Sequence, residues 1–291
     1  MLWASVLVIE GESGLKYKPV KTMGAVTGLV LGVLGFGSSI WAVNYALVQP
    51  DEQTLKLLLL VPIWLFAVFY AYILWGAFNL AYLVTDKGLT IRWASRAITI
   101  PWPEISGVVR VTGTKNLVNL TGVSWPGYMV GNYTLRGFGL VKMYASDFKG
   151  PLVIVQTPKG NFGLTPENEK QFLQEVAGKS QAEIQELDCN QLSPEVRGRL
   201  VSEDMTYMAL YALSFVILAG VILYQLFFFP GSGASRTVVL FPALGMGVLV
   251  FNIGNASRTY HFVPAAAYLI WGLNLLIMTT FLVLSVITIS F

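Results

Sequence analysis

Long stretches without one charged side chain constrain this chain most. Residues 57–85 carry no charge, and neither do residues 23–48, 205–229, 238–254 and 263–291. A helix crosses the hydrocarbon of a bilayer with about 20 apolar residues. Each run therefore predicts one spanning helix, the fourth being the shortest. Charge is segregated as well as scarce. Only 12% of residues are charged against 55% hydrophobic, and 25 of the 35 charged side chains fall between residues 86 and 204. The expectation is a multi-pass membrane protein of five helices, with a soluble island inserted between the second and third.

Flanking charges predict an orientation. Lys16, Lys18, Lys21, Lys87, Arg92, Arg197, Arg199 and Arg258 fall on one side of a five-span path. Lys56 and Arg236 fall on the other, with Asp51 and Glu52. By the positive-inside rule the N-terminus and the island are cytoplasmic and the C-terminus is outside the cell membrane. The predicted division is an N-terminal cytoplasmic segment over 1–22, two spans over 23–81, the island over 82–178, a polar linker or elbow helix over 179–204, and three spans over 205–291. The apolar start, residues 1–9, is followed by Glu10 and Glu12 and lacks a basic leader. It predicts an interfacial or partner-bound segment rather than a signal peptide.

In the first span Gly24, Gly28 and Gly32 recur every four residues, and Gly35 and Ser39 continue the stripe. Four residues is close to one helical turn, so these glycines form a face that another helix can approach closely. Asn252 and Asn274 are the main polar groups inside the spans, and interhelical hydrogen bonding accounts for them.

The island alternates in the manner of short strands. Runs at 82–85, 89–93, 97–100, 108–112, 140–145, 152–156 and 161–164 are separated by turn residues. Asp86-Lys87-Gly88 predicts a hairpin turn with glycine at positive φ. Residues 113–137 predict a long loop rich in glycine and aromatics. Thr165 is the expected N-cap of a closing helix, with Pro166 in its first position and Phe172, Leu173 and Val176 on its apolar face.

Seven strands and a closing helix outline a pleckstrin-homology-like (PH-like) barrel or sandwich capped by one C-terminal helix. The residues carry a resemblance too. Tyr-Leu-Val-Thr-Asp-Lys-Gly-Leu (82–89) followed by Ile-Pro-Trp-Pro-Glu-Ile (100–105) resembles the start of the bacterial PH domains found in small membrane proteins. Trp125-Pro126-Gly127-Tyr128 with Gly131 and Tyr133 is similar to that family's glycine-rich segment. Gly-Leu-Thr-Pro-Glu-Asn (163–168) and Phe172 resemble its terminal helix start. The resemblance implies a domain fused to membrane helices; it does not imply a phosphoinositide ligand.

Catalytic constellations are hard to assemble. His261 is the single histidine and Cys189 the single cysteine, which excludes a three-histidine metal site and an intrachain disulfide. No HExxH, GxSxG, Walker or GxGxxG pattern occurs. A net charge of +3 does not argue for nucleic acid. The expectation is a non-catalytic protein without a cofactor. It acts as a scaffold, assembly or accessory subunit in the bilayer, with a protein partner or a second copy. Trp125, Tyr128 and Tyr133 are the expected partner surface. The alternatives are a small transporter or channel, and an anionic-lipid sensor using Lys87, Arg92 and Arg96.

Overall fold

A computed structural model describes residues 14–147 and 149–290; the segment over residues 1–9 lies outside them. Strand β1 (Gly14–Tyr17) precedes helices α1 (Gly24–Gly32), α2 (Ser38–Ala46) and α3 (Gln53–Asn79). Strands β2 (Ala81–Thr85), β3 (Gly88–Trp93), β4 (Arg96–Pro101), β5 (Gly107–Thr112), β6 (Leu117–Trp125), β7 (Tyr128–Leu135), β8 (Gly139–Ala145), β9 (Leu152–Thr157) and β10 (Gly160–Leu164) follow. Helix α4 (Glu169–Ser180), strand β11 (Ile184–Asp188) and the short helix α5 (Pro194–Arg197) lead to α6 (Met205–Phe228), α7 (Leu240–Tyr260) and α8 (Pro264–Ser290). Among the described residues five helical stretches are long and apolar enough to cross a membrane: Gly24–Ala46, Pro50–Asn79, Met205–Phe228, Arg236–Tyr260 and Pro264–Ile289. The fourth extends beyond residues 238–254 at both ends, and Arg258 occupies the last turn of α7, where a cation suits the helix dipole.

The chain divides into two compact units: Met1–Leu29 with Ala71–Gly198, and Val30–Tyr70 with Arg199–Phe291. The first is a two-sheet module. β1-β2-β3-β4 form an antiparallel sheet, and β11-β5-β9-β10-β8-β7-β6 form a seven-stranded one. Val109, Val111, Met143, Leu152 and Ile154 fill the core of the larger sheet. Tyr82 is completely buried; its hydroxyl donates to the Tyr144 carbonyl at 2.7 Å and accepts from the Thr165 amide at 3.2 Å. Helix α4 buries Phe172, Leu173 and Val176, as its pattern predicts.

The module is larger than its expected outline, for identifiable reasons. Residues 113–137 are a hairpin, β6–β7, rather than a loop. Gly122 lies opposite Gly131, which has φ +117°, and a Cβ on Gly131 would stand 2.4 Å from the Gly122 Cα. Small residues allow that close approach, so the glycines here mark a tight contact between paired strands. β1 and β11 come from outside the predicted bounds. β1 pairs antiparallel with β2, and β11 pairs parallel with β5 in the stretch expected to be an elbow. Gly88 lacks a positive φ and is instead needed for contact, since a Cβ there would meet the Ile100 carbonyl oxygen at 2.2 Å. α4 begins at Glu169 rather than Pro166. Thr165 is an internal ligand for the chain, its hydroxyl accepting from the Ser146 amide at 2.9 Å, and Pro166 forms a β-bridge with Pro19.

In the second unit α8 packs against α6 and α7 around Trp271, with Tyr207, Leu218, Leu249, Ala256, Tyr260 and Met278. Polar groups in these helices bond to one another. Asn252 donates to Asn274 at 3.0 Å, and Gln225 donates to the Val238 carbonyl and to Ser285, both at 3.0 Å. This is the expected interhelical role for the two asparagines. A turn of π-helix over Val33–Gly37 joins α1 to α2.

Candidate functional site

The first unit holds its chemistry at the neck, where helix ends meet strands. Two clamps build it. At the start of α1, the tip of the β6–β7 hairpin lies against the glycine stripe. Trp125 Nε1 donates to the Gly24 carbonyl at 2.6 Å, and the Thr22 hydroxyl donates to the Gly127 carbonyl at 2.8 Å. A Cβ on Gly24 would stand 1.9 Å from the Gly127 oxygen, and one on Gly28 would meet the Trp125 ring at 2.7 Å and Leu74 at 3.0 Å. At the end of α3, the Asn79 side chain closes a two-bond ring on Ala94. It donates to the Ala94 carbonyl at 2.7 Å and accepts the Ala94 amide at 2.8 Å. Ala94 has φ +48°, a left-handed conformation costly for a residue with a Cβ, and this clamp holds it there. Trp93 packs on Gly76 and donates to the Tyr128 hydroxyl.

A cleft of about 640 Å³ opens beside the two clamps. Lys16, Lys18, Lys21 and Arg92 line it, with Asn79 and Ser146; Trp75 and Phe78, from the last turns of α3, form its apolar wall. No carboxylate lines it among the described residues. The register explains the cluster. Lys16 lies opposite Leu83, Arg92 lies opposite Ala81, and Ala81 and Leu83 share one face of β2. Tyr17 points the other way, its ring edge-on to Phe172 at 5.2 Å. Lys18, two residues beyond Lys16, returns to the cleft face. Lys21 has a long, exposed ion pair with Glu167 at 3.5 Å. Lys16, Lys18 and Arg92 have no ion pair among the described residues.

The structure redistributes the residues selected from sequence. Gly24, Gly28 and Gly32 are a packing face with mixed partners. The first two receive the hairpin; within the second unit Gly32 faces the Tyr70 ring, 2.6 Å from an added Cβ. Trp125, Tyr128 and Tyr133 are not an outer surface: they are 7%, 1% and 1% exposed. The physical reason is the hairpin, which turns these rings inward; burial raises the Tyr133 hydroxyl to about 12. Lys87, Arg92 and Arg96 do not form one cluster. Lys87 precedes β3 and Arg92 lies near its far end, about 16 Å away at roughly 3.3 Å per residue. Arg92 alone of the three lines the cleft. The cluster that does form draws on Lys16, Lys18 and Lys21, weighed in the sequence only as topology signals. The alternation Leu-Lys-Tyr-Lys over 15–18 is the strand signal that would have placed them.

A second feature, also missed, lies in the second unit. Asp204 caps α6, its carboxylate accepting from the Tyr207 amide at 2.9 Å, the Tyr260 hydroxyl at 2.8 Å and the Tyr268 hydroxyl at 2.6 Å. Arg199 approaches it at 3.5 Å. The Tyr268 hydroxyl, the Tyr207 amide and the Tyr260 hydroxyl together hold this carboxyl below the ordinary carboxylate range, at about 2. A carboxylate that accepts so many hydrogen bonds stays ionised and ties three helices together; it is unsuited to deliver a proton near neutrality. In the first unit Cys189 is a buried free thiol, its pKa raised by burial. His261 follows the last turn of α7, edge-on to Tyr260 at 5.9 Å. Among the described residues no group of three or more His, Cys, Asp or Glu is placed to hold a metal ion.

Residues 80–180 match one family model, that of a bacterial PH domain. The match covers β2 to α4, the part on which the resemblance was read. No curated protein and no solved structure matches the chain.

Proposed function

For a chain with a bacterial PH domain over residues 80–180 and five helices fit to span a bilayer, we propose the role of a non-catalytic, membrane-anchored scaffold. In this reading the helices insert, and the domain docks a protein partner or a second copy as an accessory or assembly subunit. One observation carries it: the domain is clamped rather than tethered. Trp125 on Gly24 and Asn79 on Ala94 bind it to the two helix ends through side chain–backbone hydrogen bonds. Within this unit the helix ends at Gly24 and Asn79 are fixed to the domain's strands, and a pre-ordered domain lowers the ordering cost of docking. A flexible linker would suit a domain that must search.

Strand pairing also supports the proposed orientation. β1 precedes the first span and pairs with β2, which follows the second. Both strands must then lie on one side of the membrane, as two crossings require. Three further spans put the C-terminus on the opposite side. In this reading the basic flanks put the side of the domain in the cytoplasm by the positive-inside rule.

Blue-native electrophoresis after extraction in several mild detergents tests the scaffold. The expected result is a discrete assembly larger than the detergent-bound monomer. A free monomer in every detergent counts against it.

A further inference from the structure

The geometry points to the cleft between β1, the Ala94 turn and the last turns of α3 as a binding site for the phosphate headgroup of an anionic phospholipid. The inference takes from the proposed function only the reading of α1 and α3 as membrane spans.

Three observations meet there. The first is charge: Lys16, Lys18, Lys21 and Arg92 converge on a concave space that no carboxylate lines among the described residues. Lys16, Lys18 and Arg92 have no ion pair among the described residues and Lys21 has only its long, exposed one with Glu167, so these cations repel one another, and an anion between them relieves that repulsion. Sheet register sets Lys16 and Arg92 on one face, so the arrangement comes from strands and not from mobile tails. The second is level. The cleft lies where one candidate span begins, at Gly24, and where another ends, at Asn79. Headgroups occupy that level in a bilayer, and basic groups there attract anionic lipid. The third is the wall. Trp75 and Phe78 line the cleft and are 51% and 59% exposed. A free anion or an acidic peptide gains nothing from such a wall, whereas a diacyl lipid covers it with its glycerol and upper chains. Charge and apolar surface side by side fit one molecule that carries both.

The test uses the full-length protein in a neutral detergent, with bound lipid counted by native mass spectrometry. Dioleoyl phosphatidylglycerol is expected to be retained in preference to dioleoyl phosphatidylcholine. Each cation near an anionic headgroup contributes about fivefold in affinity. The double variant Lys16→Gln/Arg92→Gln is therefore expected to lose about 25-fold in phosphatidylglycerol affinity. Lys149→Gln/Lys170→Gln makes the same change in net charge on exposed residues away from the cleft and is expected to retain binding. Lys16→Arg/Arg92→Lys, which keeps both charges, is expected to bind as the wild type, and a matching thermal unfolding midpoint shows that each variant folds. Equal retention of the two lipids by the wild type overturns the inference, as does equal loss in the two glutamine variants. Displacement of lipid by millimolar inorganic phosphate would assign the cleft to a free anion instead. Displacement by hexaglutamate would assign it to an acidic protein. The detergent solution contains no partner protein, so these outcomes leave the scaffold reading to its own experiment.

Discussion

At the scale of single residues, the helical glycines differ in what surrounds them. Gly24 has the Gly127 backbone where a Cβ would go; Gly220, in α6, has nothing within 4 Å. Gly24→Ala is expected to destabilise by about 1–3 kcal/mol through overpacking. Gly220→Ala is expected to cause no loss. Thermal unfolding in detergent separates them. The every-four spacing announced the stripe but not its occupant, since nothing local to 24–32 specifies a hairpin about 100 residues later. Asp204 carries a pH signature. Its folded pKa lies below the ordinary carboxylate value, so its stabilisation is complete above about pH 4 and is lost as the pH falls toward about 2. The wild-type unfolding midpoint should fall more steeply over that window than that of Asp204→Asn; parallel slopes would refute the assignment. Local sequence showed Asp204 as one more acid in a polar stretch, because Tyr260 and Tyr268 reach it only through the fold of three helices. Cys189 was legible as a lone thiol, but its burial was not. It is expected to resist maleimide in the folded protein and to react fully in denaturant.

Among the elements, the β6–β7 hairpin most needed the structure to be seen. Asn119 bonds both the amide and the carbonyl of Gly122 across a register shift, and this bulge interrupts the alternation by which strands are recognised. Glycine and aromatics together then look like a loop. Strands with a clear pattern were legible from sequence, β3 by its alternation and β9 by its continuous apolar run Leu-Val-Ile-Val. β11 was not, because it lies at the sheet edge with Ile184, Gln185 and Glu186 all exposed, and so lacks a buried face to set its period. Arg110 helps secure that edge, with Glu169 of α4 at 2.5 Å and Glu186 of β11 at 3.4 Å. The hairpin tip should matter most to stability. Trp125→Ala removes a 7%-exposed ring and its bond to Gly24, and is expected to cost about 3–5 kcal/mol, read as a lowered unfolding midpoint.

For the whole molecule, the five helical stretches among the described residues and the match of 80–180 to a bacterial PH domain model were legible, because charge depletion and turn spacing are long-range patterns that survive local ambiguity. The basic cleft was not, since its cations belong to two segments separated by about 70 residues and joined only by sheet register. The proposed orientation has a direct check. With Cys189 replaced by serine, a single cysteine at Glu183 should label from the cytoplasm and one at Gly231 from outside; the reverse would invert the topology. The β1–β2 pairing bears finally on biosynthesis. Gly14 leaves the ribosome about 70 residues before its partner Thr85, with two prospective spans made in between. At 5–20 residues per second that is a wait of about 4–14 s. In the proposed membrane reading, the first sheet acquires its outer strand only after both helices have been made and delivered to the bilayer. A nascent chain whose second helix stalls would keep an open strand edge, a signal by which quality control could tell failed insertion from success.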